Sequence, residues 1–166
     1  MLFTWILACT PEGEKSDAPP INQDDTAFSC SGTPPVITSL VFENLGMYEF
    51  EGGDQPAFKV TASFTDADAD LTTVSMHLWS DVVVDGTVDT NGEYEGGDPY
   101  LFTDRECMAS SRSYGLAFGV TSSSWGFATE YEFAATVLDV NDEESEPAIT
   151  SGWTPNSDGS DGTPSG

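Results

Sequence analysis

The clearest β-strand pattern in the chain is Phe58-Lys59-Val60-Thr61-Ala62-Ser63-Phe64, in which apolar and polar side chains alternate without interruption. Successive side chains of a strand point to opposite faces, so this period of two predicts a strand with one buried face. The same alternation recurs before and after this stretch, whereas no segment sustains a helical period with caps. Further strands are expected at 36–42, 74–78, 114–120, 131–137 and 148–153.

A second signal is the run Val82-Val83-Val84-Asp85-Gly86-Thr87-Val88. Two short β-type runs around Asp-Gly predict a hairpin. Turn-forming clusters recur along the chain at intervals typical of two-sheet folds. The sequence therefore predicts an all-β fold: an immunoglobulin-like antiparallel β-sandwich of seven to nine strands, with disordered N- and C-terminal segments.

The two ends differ in composition from the middle. Residues 1–9 are apolar up to a cysteine, and Ile6-Leu7-Ala8-Cys9 resembles a bacterial lipobox. We expect a signal peptide whose Cys9 becomes lipidated on an exported protein of the outer membrane or cell surface. An ordinary signal peptide with a structural cysteine is the alternative.

The remaining boundaries follow from proline and glycine content. Residues 10–33 are rich in proline and small polar residues, which predicts a flexible tether. Residues 155–166, PNSDGSDGTPSG, contain no apolar side chain and are expected to be a disordered tail. The packed domain is thus assigned to 34–154.

Two further cysteines, Cys30 and Cys107, form an even pair once Cys9 is set aside. In an oxidising compartment such a pair predicts a disulfide bond. Closing so long a loop stabilises a fold by roughly 4 kcal/mol in the chain-entropy account. The alternative is two unrelated buried thiols.

Charge and composition exclude several functions. The 166 residues carry 29 Asp plus Glu against 4 Lys plus Arg, a formal net charge of −25. A surface this acidic repels phosphates, so we expect no nucleic-acid binding, and membrane contact only through the lipid anchor. His77 is the one histidine, and the serines lack a G-x-S-x-G elbow. We therefore expect no enzymatic activity.

Acidic residues cluster after two of the expected strands. Asp66-Ala67-Asp68-Ala69-Asp70 follows the clearest strand, and Asp139-Val140-Asn141-Asp142-Glu143-Glu144 follows the penultimate one. In an immunoglobulin-type sandwich these two loops lie at the same end. Oxygen-rich loops of this kind bind calcium. A solvated acidic rim that keeps the protein soluble is the alternative, although bare carboxylates about 6 Å apart repel by roughly 3 kcal/mol per pair.

Residues 34–153 resemble bacterial immunoglobulin-like, cadherin-like and PKD-type modules. Asp139-Val140-Asn141-Asp142 matches the cadherin DxND signature, and Asp104-Arg105-Glu106 matches its DRE signature. The resemblance implies a calcium ion between the two loops. Its ligands would be Asp66, Asp68, Asp70, Asp139, Asn141 (through its carbonyl) and Asp142.

Together these features predict a non-catalytic cell-surface lipoprotein module for adhesion or spacing, stabilised by calcium, with an unknown surface protein or glycan as partner. The alternative is a carbohydrate-binding sandwich that uses exposed aromatic side chains as sugar platforms. Its candidate residues are Trp79, Trp125, Tyr94 and Tyr100.

Overall fold

The computed structural model describes residues 32–71, 73–90, 100–101, 110–121 and 125–165. These ranges contain seven strands and no helix, and hence no helix that could cross a membrane. The strands are β1 (Val36–Phe50), β2 (Gly53–Thr65), β3 (Thr73–Asp81), β4 (Tyr100–Leu101), β5 (Ser111–Gly119), β6 (Glu130–Leu138) and β7 (Ala148–Trp153).

The strands form two antiparallel sheets. One has the order β1-β2-β5 and the other the order β4-β3-β6-β7. In the letters used for immunoglobulin-like sandwiches these are A-B-E and C′-C-F-G. The predicted all-β antiparallel sandwich is therefore confirmed for the described part of the chain.

The alternation in β2 sets the inner face of the first sheet. Phe58, Val60, Ala62 and Phe64 are at most 1% exposed, whereas the polar residues between them lie partly exposed on the outer face. In β6 the inward side chains Phe133, Ala135 and Val137 are fully buried against them.

Aromatic rings join the two sheets at the centre of the core. The Phe58 ring lies 5.2 Å from that of Phe42, 5.3 Å from Phe118, 5.0 Å from Trp125 and 5.5 Å from Phe133, centroid to centroid. Aromatic pairs at such distances contribute about 0.5–1.5 kcal/mol beyond the area they bury. This core fixes the positions of the strands that carry the acidic loops.

The predicted hairpin at residues 82–88 is wrong, because this segment forms an irregular loop. Gly86 adopts a φ of 87° and its N–H donates to both carboxylate oxygens of Glu132 at 3.0 Å. The Asp85 N–H donates to the same carboxylate at 3.3 Å. The loop thus folds back over the outer face of the second sheet, instead of pairing with itself, and buries Val88 there.

The residues after β7 also make specific contacts. Thr154 is fully buried, and its Oγ1 donates to the Gly126 carbonyl at 2.6 Å. Residues 155–165, which composition assigns to a tail, continue in a turn in which the Asn156 N–H donates to the Ser160 carbonyl at 2.9 Å. The predicted signal peptide and most of the tether lie outside the described residues. So do Cys9, the predicted lipidation site, and Cys30 and Cys107, the predicted disulfide pair.

Candidate metal centre

The loop between β2 and β3 is shaped by its first aspartate. Asp66 Oδ1 accepts hydrogen bonds from the N–H groups of Asp68 at 2.6 Å and Ala69 at 3.0 Å. Ala69 adopts a φ of 62°, in the left-handed region, which reverses the chain. The reversal turns Asp70 towards the interior, next to the fully buried Leu71.

The loop between β6 and β7 is built in the same way. Asp139 Oδ1 accepts hydrogen bonds from the N–H groups of Asn141 at 2.7 Å and Glu143 at 3.0 Å. Asp142 has a φ of 62°, the same value as Ala69. In both loops Oδ1 of the first aspartate therefore stabilises the backbone turn, and Oδ2 of the same carboxylate does not take part in the turn.

Three carboxylates from these loops converge at one end of the sandwich, which we name the metal-site end. Asp66, Asp70 and Asp139 each offer an oxygen, and the three oxygens lie within 4.8 Å of one another. The side chains are only 5%, 1% and 4% exposed. Asp66 Oδ2, Asp70 Oδ1 and Asp139 Oδ2 are buried and accept no hydrogen bond from any described residue.

Such an arrangement is unfavourable for three negative charges alone. Burial, followed by the nearby carboxylates of Asp139 and Asp66, raises the pKa of Asp70 to about 6. A buried acceptor left without a partner costs about 1–3 kcal/mol, and more when it is charged. The cluster therefore favours a bound positive charge, either a proton or a cation.

The geometry fits a hard divalent cation. Two oxygens bound to one calcium ion at about 2.3–2.6 Å lie at most about 5 Å apart, and these three oxygens satisfy that condition. Among the described residues the donor set consists of carboxylates, without histidine or cysteine, which matches calcium or magnesium better than zinc.

The other predicted ligands lie around this cluster in different roles. The Asn141 side-chain N–H donates to Asp70 Oδ2 at 2.7 Å, so Asn141 orients a carboxylate of the cluster. Asp68 Oδ2 accepts a hydrogen bond from the Thr33 N–H at 2.6 Å. Asp142 is exposed. Neither Asp68 nor Asp142 contributes to the three converging oxygens.

Two features of this end had no clear signal in the sequence. A Cβ on Gly32 would lie 2.3 Å from Asp68 Oδ2, so the segment before β1 passes directly over the β2–β3 loop. Glu143 Oε2 is buried without a described hydrogen-bond partner, although the sequence placed Glu143 only among the acidic residues of the second loop.

The carbohydrate-binding alternative required Trp79 and Trp125 to be exposed, but both side chains are buried. Trp79 does point to the outer face of β3, but the β3–β4 loop covers it with Val88, leaving it 7% exposed. Trp125 is also 7% exposed, because it packs into the core with its ring 5.1 Å from that of Tyr131. Tyr94, the side chain of Tyr100 and the Asp104-Arg105-Glu106 segment lie outside the described parts.

Comparisons with known proteins add little to this geometry. No protein-family model matches the sequence, and no curated protein matches it. Among solved structures, the chain is similar to a Niemann-Pick type C2 protein from Japanese carpenter ant, with a TM-score of 0.41 and 11% sequence identity. The similarity covers 75% of this chain and 95% of that chain, and it assigns no ligand or activity to this protein.

Proposed function

We propose that the protein is a non-catalytic β-sandwich module in which a calcium ion joins the β2–β3 and β6–β7 loops. The main supporting observation is that Asp66, Asp70 and Asp139 are buried, that an oxygen of each lies within 4.8 Å of the other two, and that each has one buried oxygen without a described hydrogen-bond partner. Calcium would replace the missing partners and neutralise the mutual repulsion of the cluster.

A structural role for the ion is supported by the burial of the site. The three side chains are shielded from solvent, and the loops that carry them are fixed by their own hydrogen bonds. A catalytic metal keeps a coordination position open to substrate, whereas a structural metal is enclosed. The proposed ion therefore holds the fold together and takes no part in a reaction.

The proposed setting is the cell surface. The lipobox-like Ile6-Leu7-Ala8-Cys9 and the proline-rich residues 10–33 support export, lipid anchoring and a spacer between anchor and sandwich. The module would then serve adhesion or spacing, towards a surface protein or glycan. Burial of Trp79 and Trp125 removes two of the four aromatic platforms of the carbohydrate-binding alternative, whereas Tyr94 and the side chain of Tyr100 lie outside the described residues.

Thermal unfolding of the full chain with and without calcium tests the proposal. At a calcium concentration about 100-fold above Kd, binding to the folded state adds about 2.7 kcal/mol, or roughly 8 °C in Tm, relative to chelated protein. Asp70→Asn replaces one carboxylate oxygen of the cluster by an amide NH2 and removes the negative charge, so it should abolish the calcium-dependent rise.

Asp142→Asn is the matched control, because it makes the same charge change in an exposed side chain outside the cluster. This variant should keep the calcium-dependent rise in Tm. An equal Tm for the unsubstituted chain in calcium and in chelator would refute the metal site.

A further inference from the structure

A groove of about 270 Å³ opens beside the metal-site end of the sandwich. One wall comes from the start of β1 and the residues before it, and the other from the start of β7. Pro34, Pro35 and Val36 line the first wall, while Pro147 and Ala148 line the second. Val36 is 61% exposed, so the groove presents apolar surface to solvent.

The rim of the groove is acidic. Glu144 and Glu146 belong to its lining, and both side chains are exposed. Glu144 Oε1 lies 3.2 Å from His77 Nδ1 and accepts a hydrogen bond from Thr136 Oγ1, contacts that fix the position of this carboxylate.

The lining offers fewer hydrogen-bond donors than acceptors. Pro34, Pro35 and Pro147 have carbonyl oxygens but no N–H, and the two glutamates are acceptors when ionised. An apolar groove with acceptors and negative charge at its rim complements a ligand that has an apolar stem and a cationic, donor-rich end.

We propose that this groove, named the proline groove after Pro34, Pro35 and Pro147, binds a lysine side chain from an extended segment of a partner protein. A lysine carries four methylenes, which pack along apolar surface, and a compact ammonium with three donors. The stem lies against the prolines and Val36, and the ammonium pairs with the carboxylate of Glu146 at the rim, while Glu144, whose Oε1 is bound to His77 and Thr136, adds negative charge nearby. With a net charge of −25, the whole chain attracts a basic partner electrostatically.

This contact extends the proposed adhesion function but does not rest on the metal site. None of the groove residues belongs to the three converging carboxylates. Lysine binding is therefore measured both in calcium and in chelator. If the calcium site is absent, lysine binding can still be observed, and if lysine binding is absent, the calcium-dependent rise in Tm can still be observed.

The test is a titration of the ¹⁵N-labelled full chain with the pentapeptide acetyl-Ser-Val-Lys-Val-Ser-amide, followed by two-dimensional NMR. Saturable shifts are expected at the amides of Ile37 and Ala148. The same peptide with norleucine in place of lysine keeps the stem but lacks the ammonium, so its binding should be weaker. Glu146→Gln should weaken lysine-peptide binding by about threefold, the size expected for one exposed ion pair.

The control variant is Glu49→Gln, an equal charge change at an exposed site near the far end of β1. Its affinity for the lysine peptide should equal that of the unsubstituted chain. Equal binding of the norleucine and lysine peptides would overturn the proposal, as would an unchanged affinity of Glu146→Gln. The chain's own lysines are tested too: shifts at the same amides without peptide, dependent on protein concentration or lost in Lys15→Ala, would identify this chain as the occupant instead.

Discussion

Two aspartates at the metal-site end of the sandwich each have two structural roles, one for each carboxylate oxygen. Asp66 and Asp139 each use Oδ1 to hold the backbone of their own loop and leave Oδ2 buried in the cluster. The sequence predicted that the two acidic loops meet, because strand order in a sandwich brings them to one end. It could not separate Asp70 from Asp68 and Asp142, since that distinction depends on which way the left-handed residues Ala69 and Asp142 turn each loop.

The raised pKa of Asp70 predicts how stability depends on pH in metal-free buffer. The folded protein binds the Asp70 proton with a pKa of about 6, whereas an unfolded aspartate has a pKa of about 3.9. Protonation therefore favours the folded state. The free energy of unfolding should fall by about 3 kcal/mol as pH rises from about 4 through about 6, and this contribution should then level off.

Urea unfolding from about pH 4.5 to about pH 7.5 measures this contribution. The rest of the acidic chain also titrates, so the decisive quantity is the difference between the unsubstituted protein and Asp70→Asn. That difference should change with pH in this range, while Asp142→Asn should follow the unsubstituted protein. Parallel curves for the unsubstituted protein and Asp70→Asn would contradict the assigned pKa.

At the scale of the element, the strands with an uninterrupted period of two were the most predictable. The expected strand at 58–64 lies within β2, and the expected strand at 131–137 lies within β6. The hairpin prediction for residues 82–88 failed because it rested on local propensity alone. In the fold, the Gly86 N–H donates to Glu132, a buried carboxylate that is distant in the sequence. Such a long-range contact leaves no local pattern in the sequence.

The edges of the two sheets meet where β7 passes β1, and the contact depends on a glycine. A Cβ built on Gly152 would lie 2.1 Å from Phe42 Cδ1 and 2.4 Å from its Cγ, too close for any side chain. Phe42 also stacks on Phe58 in the core, so it has little room to move. Gly152→Ala should therefore destabilise the protein by about 1–3 kcal/mol, the usual cost of overpacking.

Chemical denaturation of Gly152→Ala measures that cost. The neighbouring Ser151→Ala is the control, because Ser151 is exposed in the same strand and points to the opposite face. It should change the free energy of unfolding by no more than about 0.5 kcal/mol. Equal stability of both variants would show that the Phe42 contact is not tight.

At the scale of the whole molecule, the net charge of −25 acts on stability through long-range repulsion. Raising NaCl from about 10 mM to about 150 mM shortens the Debye length from roughly 30 Å to roughly 8 Å, so Tm should rise. This screening should affect the unsubstituted protein and Asp70→Asn alike. Calcium in the millimolar range, added at the higher salt, should raise Tm further only where Asp70 is present.

Melting curves at matched ionic strength separate these two effects. If NaCl at equal ionic strength reproduces the full effect of calcium on Tm, the acidic residues act as a diffuse charge and the cluster binds no specific ion. The net charge and the positions of the two acidic loops could be predicted from the sequence. The buried portion of that charge is a property of the packed sandwich, because it arises only when β2, β3 and β6 are aligned.

The order of strand pairing has a consequence for how the protein unfolds. β2 pairs with β5, and β3, which lies between them in the chain, pairs with β6 beyond β5. The two sheets are therefore interleaved along the sequence, and each sheet pairs strands that are separated in the chain by a strand of the other sheet. Folding must close both long loops, which favours slow folding and a single all-or-none transition. Fluorescence, circular dichroism and calorimetry should then report one common midpoint, and no half of this chain should persist as a stable fragment.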